Sequence, residues 1–258
     1  MMDNAPGTVV RGVVASGRRL ELSSFAKRPP RTRLRWHLSF RLLVNPPARL
    51  CRRTRMPDSG YSDRIHHALA FAAKHNDRQI HKGARQPYRT HAANVAIILT
   101  RYDRDDDTII AGILQDVVAD WVAERYSNEM LDQRIGEKFG RDLLASIVSV
   151  TLRQVDQAGV DLSHDESRAD LLNRLQVADD RARWVVAADA LNAVGATLAN
   201  LRRTIDADSV WSQLPLGPEG TTKWYRSLCD RLGVVGFNEP IVAELSRGVD
   251  ELIARAAT

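Results

Sequence analysis

The stretch Ile113-Leu-Gln-Asp-Val-Val-Ala-Asp120 decides how the rest of the chain is read. Together with Ile110, the residues Ile113, Leu114 and Val117 recur at i, i+3, i+4 and i+7, the spacing of one apolar helix face. Asp116 and Asp120 flank that stripe one turn apart, and neither has a Lys or Arg three or four residues away. A carboxylate held beside a core loses solvation. It needs a cation from elsewhere, either a basic side chain or a metal.

A second helix repeats the problem. Trp184 to Leu201 reads WVVAADALNAVGATLANL, and Asp189 is its only charged residue. The segment is too polar and interrupted to span a membrane and reads as a buried core helix. Asp189, Asn192 and Asn200 fall roughly on one face. An Asp in this setting caps a neighbouring helix, pairs with an Arg or binds a metal. A third helix opens after Gln86-Pro-Tyr-Arg-Thr-His91 and turns Val95, Ile98, Leu99 and Tyr102 inward. Taken alone, His91 reads as a core or capping histidine.

The order His, then Gln-Asp, then Asp, each on its own helix, resembles the HD-domain phosphohydrolases. Within them it resembles in particular the RelA/SpoT-type hydrolases and their small single-domain alarmone hydrolase relatives. The resemblance covers about residues 62 to 233 and rests on motifs in sequence order. Ala68-Leu-Ala-Phe-Ala-Ala-Lys-His75 is similar to the family's opening helix. Lys82-Gly, then Pro87-Tyr88 and His91, resemble its loop and first metal histidine. Gly112 to Asp120 resembles the segment that usually reads His-Asp followed by Glu-Asp, and Ile135-Gly-Glu-Lys-Phe-Gly140 the helix end after it. Ala187-Ala-Asp189 looks like the last metal aspartate; Pro218-Glu-Gly220 and Trp224-Tyr225 look like the closing helix.

The resemblance implies an all-α, HD-domain-like bundle of about eight to ten helices. It also implies one divalent metal, Mn²⁺ in first place, held by His91, Gln115, Asp116 and Asp189. Two departures weaken the implied chemistry. Residue 115 is Gln where the family has a metal His, and an amide is a weaker donor to Mn²⁺ or Fe²⁺ than imidazole. Ala119 replaces the Glu of the catalytic Glu-Asp pair, which leaves Asp120 as the catalytic carboxylate. Ala190 and Ala193 stand where Lys and Asn are usual, with Asn192 beside the second. Substrate-side residues implied are Lys82, Arg85, Asn192 and Tyr225; a solvated loop explains the first two equally well, and core packing the last.

Function is thereby narrowed to two classes. One is a guanosine-3′,5′-bis(diphosphate) 3′-pyrophosphohydrolase with weakened activity. The other is a catalytically silent HD-domain pseudoenzyme that binds a nucleotide or a protein partner.

The whole-chain net charge of +5 conceals two parts of opposite sign. Residues 1–55 hold 13 Lys and Arg against 2 Asp and Glu, whereas 56–258 hold 24 against 30. The second part is mildly acidic, which argues against nucleic-acid binding. The Arg- and Pro-containing first part shows no sustained period and reads as a disordered extension. It could be a targeting peptide, a phosphate-touching arm or, as we favour, sequence translated upstream of a start at Met56. No apolar run leads to a small-residue cleavage site, and no segment is expected to be transmembrane. Two cysteines, Cys51 and Cys229, fit a reduced, cytoplasmic protein. His66, His67, His75, His81 and His164 lack ligand spacing and read as surface residues, as does His37. Gly217-Pro-Glu-Gly220 reads as a turn before a helix rather than a nucleotide cradle. Ile241, Leu245, Val249, Leu252 and Ile253 form a last helical stripe that can pack on the domain or on a second subunit.

Overall fold

Helix periodicity and capping chemistry together fix where the elements begin and end. The computed structural model describes residues 61–75, 88–156 and 158–257. The chain divides into two units, Met1–Arg52 and Arg53–Thr258, and the described residues belong to the second. They form α1 (Asp63–His75), α2 (Tyr88–Arg101), α3 (Asp106–Ala123), α4 (Asn128–Leu131), α5 (Glu137–Phe139), α6 (Arg141–Val150), α7 (His164–Arg174), α8 (Asp180–Arg203), α9 (Asp208–Trp211), α10 (Gly217–Val234) and α11 (Pro240–Ala256). A π-helical turn, Asp132–Gly136, joins α4 to α5, so the helical run from Asn128 to Phe139 is continuous but locally unwound. No strand occurs among the described residues, and one isolated antiparallel bridge, Val155 to Asp161, pins the polar connector before α7. The fold is all-α, as the sequence indicates.

Side-chain caps explain the starts. The Ser62 hydroxyl accepts from the Ile65 amide, Ser127 from Met130, Asp105 from Thr108 and Asp179 from Ala182. Ser163 and Glu166 make a reciprocal capping box at α7. Gly140, at φ 121°, ends α5 in a backbone conformation that favours glycine. α10 begins already at Gly217, because Pro218 is admitted to a first turn that has no need of its amide. Gly217-Pro-Glu-Gly220 is therefore helix rather than turn.

α3 is the central post, packed on α1, α2, α6 and α8. Ile109, Ile110, Ile113, Leu114, Val117, Val118 and Trp121 are all buried, so the apolar surface extends well beyond one stripe. Each such aliphatic side chain contributes roughly 1.5–3 kcal/mol when fully buried. The α2–α3 crossing is close at Gly112, where a Cβ would stand 2.6 Å from Leu99 Cδ1 and 2.8 Å from Val95 Cγ1. α8 packs on α11, α3 and α2. By length and mean hydropathy it is long and apolar enough to cross a membrane, unlike the sequence expectation, but half of its apolar window is buried within the bundle. The α11 stripe packs inward on α8 and α10 through Ile241, Leu245, Val249 and Leu252, while Ile253 is exposed. Cys229 is free and buried, and Cys51 lies outside the described residues.

Candidate metal centre

Three helices bring a histidine and two aspartates to one point. His91 comes from the first turn of α2, Asp116 from the middle of α3 and Asp189 from the middle of α8. The Gly112 crossing sets α2 on α3, and Asp116 follows Gly112 by one turn on the same face of α3. His91 Nε2 lies 2.9 Å from Asp189 Oδ1 and 3.3 Å from Asp116 Oδ2. One potential ligand atom from each residue falls within 4.8 Å of the others, a spacing that suits a shared cation. The side chains are 12%, 17% and 31% exposed for His91, Asp116 and Asp189. Asp189 is thus half-buried at the rim rather than sealed in the core, which leaves the cluster an open side.

The electrostatics point the same way. Burial lowers the pKa of His91, but the hydrogen bond and charge of Asp189 and the charge of Asp116 outweigh it and raise it to about 9. A proton therefore sits where a metal would, balancing two carboxylates. Asn192, one turn after Asp189 on α8, places its Nδ2 2.8 Å from His91 Nδ1. Turning the amide over brings Oδ1 to that place. An imidazolium and a histidine that binds metal through Nε2 both require this orientation, because each carries a proton on Nδ1. Asn192, expected on the substrate side, is therefore in contact with Nδ1 of His91, the ring nitrogen far from the two carboxylates.

Gln115, next to Asp116, has a buried Oε1 with no hydrogen-bond partner among the described residues. Leaving such an oxygen unsatisfied costs about 1–3 kcal/mol. One imidazole and two carboxylates make a donor set that fits Mn²⁺, Fe²⁺ or a similar divalent ion. Asp120 lies one turn beyond Asp116 and is 29% exposed. Residue 119, next to it in sequence, is Ala.

Some expected residues stand elsewhere. Lys82 and Arg85 lie outside the described residues, as do His81 and His37. Tyr225 on α10 packs against the core. Burial pushes its phenol pKa up and the charge of Asp189 adds to this, while Arg168 works against it. Arg168, on α7, was not singled out in the sequence because nothing local separates it from other helix-surface arginines. It lies 5.7 Å above the Trp224 ring and 3.5 Å from Asp165. His75 corrects the surface reading. Its side chain is only 20% exposed, its ring lies edge-on to Trp121 at 5.0 Å, and its Nε2 is 3.9 Å from Asp120 Oδ2. His66, His67 and His164 are exposed, although His67 also rests 5.0 Å from the Phe139 ring.

Comparison with known proteins places this geometry. Residues 68–214 match the family model described as an HD domain. A Myxococcus xanthus protein named GTP pyrophosphokinase is 28% identical over 175 residues, which is 67% of this chain but 21% of that protein. The chain therefore spans about a fifth of that relative's length. The Listeria monocytogenes EGD-e protein lmo0812 superposes with a TM-score of 0.51 at 24% identity, covering 65% of this chain and 98% of that one. A metazoan ortholog of SpoT, described as hydrolysing ppGpp, superposes with a TM-score of 0.54 at 21% identity, covering 76% and 97%. These two likenesses concern the fold.

Proposed function

Because the chain belongs to the HD-domain family, we propose that it is a metal-dependent phosphohydrolase acting on guanosine 3′,5′-bis(diphosphate) or a related nucleotide, with weakened activity. The observation that carries this reading is the convergence of His91, Asp116 and Asp189 from three helices. The similarity to the metazoan SpoT ortholog and to the Myxococcus protein supports the nucleotide class. The metal we propose is Mn²⁺, with Gln115 as the fourth protein donor.

When bound, a divalent ion supplies Lewis-acid charge at the phosphoryl oxygens and lowers the pKa of a coordinated water. The chain's own residues do the rest. Asp116 and Asp189 neutralise the cation, and Asn192 holds the His91 ring. Asp120 accepts the proton of the attacking water. The water oxygen bonds to the phosphorus attached to the 3′ oxygen, the bond to that oxygen breaks, the 3′ oxygen takes up the proton that Asp120 accepted, and pyrophosphate and guanosine 5′-diphosphate are released. Tyr225, Arg168, Lys82 and Arg85 are the candidates for holding the nucleotide and its phosphates. The acidic balance of residues 56–258 and the free Cys229 fit a cytoplasmic protein that works on a small molecule rather than on nucleic acid.

The second reading, a silent nucleotide- or partner-binding module, is favoured by Gln115 and Ala119. One experiment separates them. The full chain with excess Mn²⁺ is assayed for pyrophosphate release from guanosine tetraphosphate, beside Asp189→Ala and the double variant Gln115→His, Ala119→Glu. We expect slow release by the wild type, none by Asp189→Ala, and a rise of at least about 10-fold in the double variant, within the range a positioned acid–base group supplies. No release by either the wild type or the double variant would leave the binding module as the function.

A further inference from the structure

The last turn of α1 brings a histidine to Asp120, the carboxylate proposed above as the base. His75 Nε2 lies 3.9 Å from Asp120 Oδ2, with side chains 20% and 29% exposed. Nε2 is buried and has no hydrogen-bond partner among the described residues. The ring cannot easily turn away. It stands at 87° to Trp121, which stacks at 4° on Tyr126 with centroids 5.4 Å apart and meets Phe71 edge-on at 6.2 Å. Arg134 covers the same indole at 5.4 Å and keeps it in place. An aromatic frame thus aims one imidazole nitrogen at Asp120, and a small rotation of the carboxylate closes the gap to a hydrogen bond.

We propose that His75 is a positioning residue for Asp120: its Nε2–H holds one carboxylate oxygen and turns the other toward the reacting water. The inference rests on the phosphohydrolase reading above for its catalytic consequence, but the pairing itself does not. Residue 119 is Ala, so Asp120 is the carboxylate that carries the proposed base role. A donor on the far oxygen fixes the side chain without occupying the oxygen that takes the proton. Such a support is worth a large factor in rate, because displacing a catalytic group by about 1 Å can cost 10²-fold.

The test has a spectroscopic arm and a kinetic arm, both on the full chain. Imidazole ¹⁵N spectra of the metal-free wild type should show a hydrogen-bonded Nε2–H for His75 that moves to the position of a free imidazole in Asp120→Asn. An unmoved resonance overturns the proposal. In the kinetic arm, His75→Phe keeps the ring against Trp121 but removes the donor, and His75→Gln restores an N–H near the place of Nε2. With Mn²⁺ and guanosine tetraphosphate, kcat should fall about 10- to 100-fold in His75→Phe with KM little changed, and recover at least partly in His75→Gln. A His75→Phe variant with wild-type kcat refutes the positioning role, whatever its stability. If the wild type has no turnover while Asp120→Asn still moves the His75 resonance, the phosphohydrolase reading fails and the pairing stands.

Discussion

Acidification should release a divalent cation from the His91–Asp116–Asp189 cluster at a pH well above the ordinary histidine range. Burial lowers the pKa of His91, but Asp189 and Asp116 override it and raise the value from 6.5 to about 9 in the metal-free protein. A metal that binds Nε2 must first displace that proton, so metal and proton compete for one site. Below pH 9 the apparent association constant should rise about 10-fold per pH unit, with log K against pH close to a slope of one. At pH 7, about two units below the midpoint, the competition weakens binding by ~100-fold, or ~2.7 kcal/mol. Calorimetric titration of the apo-protein with Mn²⁺ between pH 6.5 and 8.5 measures the slope. Repeating it in buffers of different ionisation enthalpy counts the proton, which should be close to one per metal at pH 7. Affinity that is flat across this range, or binding without proton release, would refute the reasoning and place the metal away from His91.

The same proton sets the stability of the apo-protein. A raised folded-state pKa contributes stability that is fully present below the unfolded value of 6.5 and is lost as pH rises through about 9, by up to about 3 kcal/mol. Urea unfolding of the metal-free wild type and of His91→Gln, at pH 6 and pH 10, should show this difference in the wild type alone. Asn192→Leu removes the partner of His91 Nδ1, and direct titration should find Mn²⁺ affinity reduced about 10- to 100-fold with Asp116 and Asp189 intact. Gly112→Ala puts a methyl 2.6 Å from Leu99 and 2.8 Å from Val95, so chemical denaturation should show a loss of about 1–3 kcal/mol. Because that crossing seats His91 above Asp116, metal affinity should fall as well; an unchanged affinity would mean that α2 shifts without moving His91.

By itself the sequence determined the local facts. The 3.6-residue period marks α2, α3, α8 and α11, and Ser62 and Ser127 stand as caps where their hydroxyls meet free amides. The order of His91, Asp116 and Asp189 carried the resemblance that named the metal ligands, and Gln115 and Ala119 could be read as departures. What helix spacing could not supply is which faces meet. The period relates residues three or four apart, whereas the approach of α2 to α3 depends on Gly112 lacking a side chain where Leu99 and Val95 press in. Asn192 was read on the substrate side, and its contact with His91 exists only because α8 and α2 cross and put its amide on that ring. His75 looked like one more surface histidine, since its partner Asp120 lies 45 positions away on another helix and the aromatic frame around it comes from α1, α3 and the turn after α3. Tyr225 and Arg168 likewise feel Asp189 and each other only because α7, α8 and α10 converge. Patterns bonded along the chain are legible in order of residues; a site made where helices cross is decided by the packing that buries their apolar faces together.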